Sequence, residues 1–201
     1  MYRSGVTVGE LIAELQSEVD IAGTVPASAY LRWVSSLEQL IYADLLLFER
    51  GADLEAHDGF LDLSLLTAGE GERGVTFDDL RKVYLGGEEL TRAGRIGAYQ
   101  FDEEKSLYYP DGDGVRVSVF GDGEADTYHV IWRVIPAVKN GEGEEVLLPY
   151  PWLDMVLSYL RGEAYKVAND DAQAAKWLGD YNTRLASFRE WAAKRNERYG
   201  E

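Results

Sequence analysis

The stretch that decides the fold begins at Pro149, ends at Arg195 and reads PYPWLDMVLSYLRGEAYKVANDDAQAAKWLGDYNTRLASFREWAAKR. Apolar residues recur in it every three or four positions, in two runs separated by the polar segment 169–171. This spacing places each run along one side of an α-helix. Pro151 suits the first turn of a helix, and Asp170 followed by Gln173 resembles a capping box. We therefore predict an antiparallel helical hairpin with a short turn.

Two further helices are predicted near the N-terminus. The sequence Thr7-Val8-Gly9-Glu10 resembles a capping box that opens a short amphipathic helix. Pro26 suits the start of a second helix, whose apolar spacing continues to Gly51. Three further apolar residues widen the surface of this second helix, namely Trp33, Leu40 and Leu46. We expect it to be buried on more than one side and to lie centrally in a helical bundle.

The character of the chain changes after Gly51. Glycines and acidic residues become frequent, and short runs alternate or are rich in β-branched and aromatic residues. These runs predict strands, at 60–65, 80–85, 106–110, 115–119 and 128–135. The polar composition of residues 140–145 predicts a mobile loop tip.

The predicted fold class is α+β. Residues 1–52 and 149–201 are expected to form one bundle of about four helices, with an antiparallel β-rich insert at 53–148. A chain of 201 residues with 46% hydrophobic residues is long enough for one sizeable core and a second, smaller lobe.

Composition argues against several classes of function. There is no cysteine, and the two histidines, His57 and His129, lie far apart in sequence, so a thiolate or histidine-based metal site is not expected. No apolar run approaches membrane-spanning length. The net charge of −16 argues against a surface that grips nucleic acid. Because no catalytic constellation stands out, we expect no enzymatic activity, no cofactor and no bound metal.

Two charged features are open to more than one interpretation. Glu10, Glu14 and Glu18 recur at i, i+4 spacing, where like charges destabilise a helix slightly. They form either an ordinary solvated face or an acidic stripe with a function. The second feature is a basic C-terminal stretch that includes Lys194, Arg195 and Arg198. These residues either complement the dipole of the last helix or dock onto an acidic partner surface.

The order of features resembles the bacteriophage head–tail connector (adaptor) proteins, which bind beneath the portal. Three groups of segments carry the resemblance and together span nearly the whole chain: Thr7-Val8-Gly9-Glu10-Leu11-Ile12 with Leu31-Arg32-Trp33-Val34; Asp79-Leu80-Arg81-Lys82-Val83-Tyr84 with 106–110, 115–117 and 130–136; and Leu148-Pro149-Tyr150-Pro151 with 159–165 and 169–175.

The resemblance implies a virion structural protein. Its copies would form a ring under the portal protein, twelve-fold by resemblance, and double-stranded DNA would pass through the centre without specific binding. A downstream tail protein would be a further partner, and no membrane would be involved. The expected location is the head–tail junction of the virion, and the host cytoplasm during assembly. The C-terminal segment would contact the portal, while the β lobe would face the next tail component or the outside.

Two hypotheses can be added to the resemblance. From their like-charge spacing, Glu10, Glu14 and Glu18, or a similar acidic stripe on the bundle, would line the DNA channel. Deletion from about Lys194 onward would abolish portal binding while the monomer still folds. Two alternatives stay open: a tail-associated adaptor that degrades peptidoglycan, and a non-viral helical scaffold or interaction protein.

Overall fold

The structure of the protein, a computed structural model, describes residues 1–19, 23–45, 48–66, 68–69, 71–93, 107–112, 114–120 and 127–199. Within these residues the fold is α+β, as predicted, with four α-helices and two four-stranded sheets. The chain forms two compact units: a helical unit of Met1–Leu47 with Pro136–Glu201, and a β unit of Phe48–Ile135. The predicted boundaries lie elsewhere, at 52/53 and 148/149.

The helical unit contains α1 (Val8–Glu18), α2 (Ala27–Asp44), α3 (Leu153–Val167) and α4 (Asp171–Tyr199). The predicted capping box of α1 is confirmed. The Thr7 hydroxyl accepts a hydrogen bond from the Glu10 N–H at 3.2 Å, and the Glu10 carboxylate accepts one from the Thr7 N–H at 2.7 Å. None of the described helices combines the length and the apolar character needed to cross a membrane.

The second helix ends earlier than predicted. α2 stops at Asp44, and Glu49 already begins a strand, so the prediction of a helix up to Gly51 is wrong. Residues 49–55 pair with 127–133 instead, which satisfies their backbone groups in a β-ladder. Leu46, which the prediction included in the helix, lies outside the described residues.

The central position in the helical unit belongs to α3, so the prediction that α2 occupies it is wrong. α3 contacts α1, α2 and α4, and it buries residues around most of its circumference, from Leu153, Met155, Val156 and Leu157 to Leu160 and Ala164. α2 instead keeps one exposed side, on which Leu40 is 52% accessible.

α3 and α4 form the predicted antiparallel hairpin and approach closely at one glycine. Asn169 turns the chain with a φ of +57°, a conformation that asparagine tolerates, and Asp170 accepts a hydrogen bond from the Gln173 N–H at 3.0 Å. A Cβ atom on Gly162 would lie only 2.6 Å from Cγ of Leu178. Gly162 therefore permits the close crossing of the two helices.

The β unit contains two sheets that share one hydrophobic core. The first has the order β1 (Glu49–Glu55), β8 (Thr127–Arg133), β3 (Leu80–Leu85), β4 (Glu88–Glu89) and is antiparallel throughout. The second has the order β2 (Phe60–Asp62), β7 (Arg116–Phe120), β6 (Leu107–Asp111), β5 (Thr91–Arg92), and its β5–β6 pair is parallel. The prediction of an antiparallel insert is therefore wrong for this pair. Side chains from both sheets are buried against each other, among them Leu54, Leu61, Val83, Tyr108, Val117, Val130 and Trp132.

The strand predictions are mostly confirmed, but one run is shorter than predicted, and three strands, β1, β4 and β5, were not predicted. The run 60–65 forms a strand only up to Asp62, whose carboxylate accepts a hydrogen bond from the Ser64 N–H at 2.9 Å and starts a 3-10 turn. β1 was not predicted, because only Leu54 of its seven residues is buried and its alternation is weak. Ser106, at the start of one predicted strand, lies outside the described residues.

The close crossing at Gly162 gives a testable stability difference. We expect Gly162→Ala to destabilise the protein by about 1–3 kcal/mol, because the new methyl group overlaps Leu178 and forces the helices apart. The matched control is Gly179→Ala on α4, where a Cβ atom meets open space. That variant should gain about 0.5–1 kcal/mol, since alanine favours a helix more than glycine does. Urea unfolding of both variants measures the difference, and an equal stabilisation of the two would contradict the close contact.

Candidate functional site

The segment 136–148 belongs to the helical unit and is bound along the N-terminal residues. The Val8 N–H donates to the Glu144 carbonyl at 3.0 Å, and the Gly9 N–H donates to the Glu142 carbonyl at 2.8 Å. The Ser4 N–H donates to the Val146 carbonyl at 3.1 Å, and the Val146 N–H donates to the Val6 carbonyl at 2.8 Å. Residues 140–145, predicted to be a mobile loop tip, are attached to α1, because carbonyls of this segment accept hydrogen bonds from N–H groups in its first turn.

A buried ion pair fixes this segment to α2. Glu38 and Lys139 are both buried, and Nζ of Lys139 lies 3.2 Å from Oε2 of Glu38. The other carboxylate oxygen accepts a hydrogen bond from the Leu147 N–H at 2.7 Å, while Nζ donates to the Glu145 carbonyl at 2.7 Å. Burial raises the pKa of Glu38 above its ordinary value, and the charge of Lys139 opposes that rise.

Tyr42 completes the attachment of the segment. Its hydroxyl donates to the Leu147 carbonyl at 2.8 Å and accepts a hydrogen bond from the Tyr2 N–H at 2.8 Å. Burial raises the pKa of Tyr42, so the hydroxyl keeps its proton at neutral pH. Both backbone groups of Leu147 are therefore held by side chains of α2, which fixes the position of the chain that follows.

That following chain carries an exposed aromatic ridge. Tyr150, Pro151 and Trp152 form a 3-10 turn before α3, and Tyr150 is 67% accessible. A cavity of about 240 Å³ lies on one side, between α3 and α4, where Trp152, Met155 and Arg184 line it. A second cavity of about 260 Å³ lies on the other side, between α1 and α3. A ridge flanked by two pockets suits protein–protein contact, because aromatic anchors contribute much of the energy of such interfaces.

We call the second cavity the α1–α3 groove and define it by Leu11, Glu14, Tyr150, Leu153, Asp154 and Leu157. Its three leucines are buried and form an apolar floor. The carboxylates of Glu14 and Asp154 stand at its border. Sequence reasoning quoted the Tyr150 turn only as a helix start, since nothing in the apolar spacing reveals which ring is left exposed.

The three predicted channel-lining residues have different environments. Glu10 caps its own helix, and the hydrogen bond from the Thr7 N–H lowers its pKa. Glu18 forms an ion pair with Arg161 of α3. Glu14 lines the α1–α3 groove, and its carboxylate has no partner among the described residues. Two of the three carboxylates thus have structural partners within the helical unit.

The three predicted portal-docking residues also differ. Lys194 is exposed. Arg195 is half-buried, donates to the Tyr2 hydroxyl at 2.9 Å and lies over the Tyr2 ring. The backbone of Arg198 continues α4, but its side chain lies outside the described residues. A truncation from Lys194 onward would also remove the hydrogen bond from Asn196 to the Leu45 carbonyl, so it would weaken the fold itself.

The β unit contains one histidine–carboxylate pair beside a cavity of about 410 Å³. Nδ1 of His129 lies 2.7 Å from Oδ1 of Asp53. Nε2 lies close to Gly51, where a Cβ atom would come 3.0 Å from it. Tyr84 and Thr127 also line the cavity. Asp53 and His129 are 70% and 48% exposed, so bulk water screens the pair.

The described residues contain no group of three or more histidine or carboxylate side chains that could hold a metal ion. His57, the other histidine, lies in a tight turn and forms a backbone bridge with Phe60. No protein-family model and no curated protein matches the chain.

The buried ion pair that positions the Tyr150 turn makes a testable contribution to stability. We expect Glu38→Gln to destabilise the protein by about 3–5 kcal/mol, because it leaves the charge of Lys139 buried without a counter-charge. The double variant Glu38→Gln/Lys139→Met should recover part of this loss, since it removes both charges. Urea unfolding checks both expectations.

The matched control is Glu142→Gln, the same chemical change at an exposed position of the same segment. It should change the free energy of unfolding by less than about 0.5 kcal/mol. A Glu38→Gln variant as stable as this control would show that the pair does not hold the segment.

Proposed function

We propose that the protein is a bacteriophage head–tail connector (adaptor) that docks under the portal as a ring. In this proposal its four helices form a bundle, the β unit is an insert that faces the next tail component, and DNA passes through the centre of a twelve-fold ring. The protein then acts as a structural component of the virion and not as an enzyme.

One observation carries the proposal. The two ends of the chain, 1–47 and 136–201, form a single compact helical unit, and the sheet-forming residues 48–135 lie between them in sequence. This is the arrangement that the resemblance implies, with helices at both ends and a β lobe in the middle. The exposed Tyr150 ridge between two cavities is compatible with an assembly role as well, because aromatic side chains often serve as anchors of protein–protein interfaces.

The charge of the protein is compatible with a channel through which DNA slides. A net charge of −16 repels phosphates and keeps non-specific retention low. Of the proposed channel-lining residues, Glu14 is the one whose carboxylate lacks an ion pair or hydrogen bond in the described part of the chain. For portal docking, Lys194 is the candidate that can be tested separately from folding, since Arg195 also holds Tyr2.

The proposal predicts binding to the portal protein of the same phage. In sedimentation with purified portal, the protein should co-migrate as a ring-sized complex, and Lys194→Glu should weaken this binding about tenfold by placing a like charge against an acidic portal surface. Arg32→Glu, the same charge change at an exposed position of α2, is the control and should bind as the natural protein does.

Three results would overturn the proposal. The first is the absence of portal binding by the natural protein. The second is a clear band in a peptidoglycan zymogram, which would favour the cell-wall-degrading alternative. The third is stable self-association in light scattering that portal protein does not alter, which would favour a helical scaffold. A monomer in isolation is compatible with the connector, because ring assembly can require the portal.

A further inference from the structure

We infer that the α1–α3 groove binds a basic amphipathic segment of a partner protein, with an apolar side chain in the groove and lysine or arginine beside it. Nothing in this binding mode requires the partner to be a portal or the protein to be a connector. It also gives the acidic face of α1 a role different from channel lining, since Glu14 borders the groove.

The floor of the groove is apolar and already formed. Leu11, Leu153 and Leu157 are buried by their neighbours and present carbon surface to a cavity of about 260 Å³. Tyr150 forms one wall, and its ring is exposed without a hydrogen bond or ring partner within the described residues. An aliphatic or aromatic side chain of a partner would cover the exposed Tyr150 ring and remove its apolar surface from water, at about 25 cal/mol per Å².

The charged residues that line the groove favour a positively charged partner. Glu14 and Asp154 are the two charged residues that line the groove, and no lysine or arginine lies among its described lining residues. The carboxylate of Asp154 meets Arg184 at 3.3 Å at an exposed position, where such a pair is weak. An acidic peptide, a nucleic acid or an anionic lipid surface would be repelled, whereas a basic segment gains two carboxylate partners.

The backbone around the groove is held by contacts within the helical unit. Its wall at Tyr150 follows Leu147, whose N–H and carbonyl are held by Glu38 and Tyr42. Its floor belongs to α3, the helix at the centre of the unit. Because this backbone is already held, binding costs less ordering entropy than binding to an unattached segment would. An amphipathic helix with apolar side chains at i, i+3, i+4 and i+7 is the usual occupant of such grooves.

The test uses the full chain and two synthetic peptides. Both peptides have leucine at i, i+3, i+4 and i+7, and the remaining positions are lysine in one and glutamate in the other. Isothermal titration should show that the lysine peptide binds and the glutamate peptide does not. Tyr150→Ala and Glu14→Gln should each weaken the lysine peptide about tenfold, as expected when an aromatic anchor or a paired charge is lost.

A control variant distinguishes binding in the groove from general attraction of the lysine peptide to a negatively charged protein. Glu190→Gln removes the same charge at an exposed position of α4 outside the groove lining and should change the affinity less than about twofold. Equal weakening by Glu14→Gln and Glu190→Gln would overturn the inference, as would absence of binding or equal binding of both peptides. Reversible self-association that Tyr150→Ala abolishes would assign the groove to a second copy of the chain and would also overturn it. Unchanged unfolding midpoints of the variants show that they fold.

Discussion

The helical unit depends on a buried ion pair between Glu38 and Lys139. Glu38 lies in the middle of α2 on the side that faces the core, where an unpaired carboxylate would be expensive. Lys139 supplies the counter-charge and the Leu147 N–H supplies a hydrogen bond. Both partners lie about a hundred residues further along the chain. The contacts of Glu38 therefore connect α2 to the segment 136–148. A buried pair of this kind contributes little net stability, but it penalises every arrangement in which the segment 136–148 lies elsewhere.

The position of α3 depends on the segment that Glu38 holds. The segment that Glu38 holds leads directly into the Tyr150 turn and then into α3, which packs against the other three helices. Gly162 lets α4 approach closely, and the Ser158 hydroxyl donates to Asp180 of α4 at 2.5 Å. That hydrogen bond, with a second from Arg184, lowers the pKa of Asp180 and keeps it ionised at neutral pH. The rigid element beside the exposed ridge is therefore the best-packed helix of the unit, which suits a surface that binds a partner.

The sequence predicted what local patterns encode and failed where partners are distant in the chain. Periodicity located all four described helices and most described strands, and the Thr7 cap was readable from two residues. The end of α2 was misjudged because apolar spacing continues to Phe48, while the reason to leave the helix is a strand at 127–133. No local pattern marks Glu38 and Lys139 as a pair, because the two residues lie about a hundred positions apart in the sequence. Glu14 was singled out by its spacing, but its place beside buried leucines and Tyr150 depends on how α1 and α3 pack.

The central claim is that the buried carboxylate of Glu38 holds Leu147 as firmly as the helical core itself. Native-state hydrogen exchange followed by NMR tests this most directly, since the Leu147 N–H has the Glu38 side chain as its acceptor. If the claim is correct, this amide exchanges only through the opening that exposes the core amides of α3, with the same free energy. Exchange of the Leu147 amide at the rate of an exposed loop, while α3 stays protected, would contradict it.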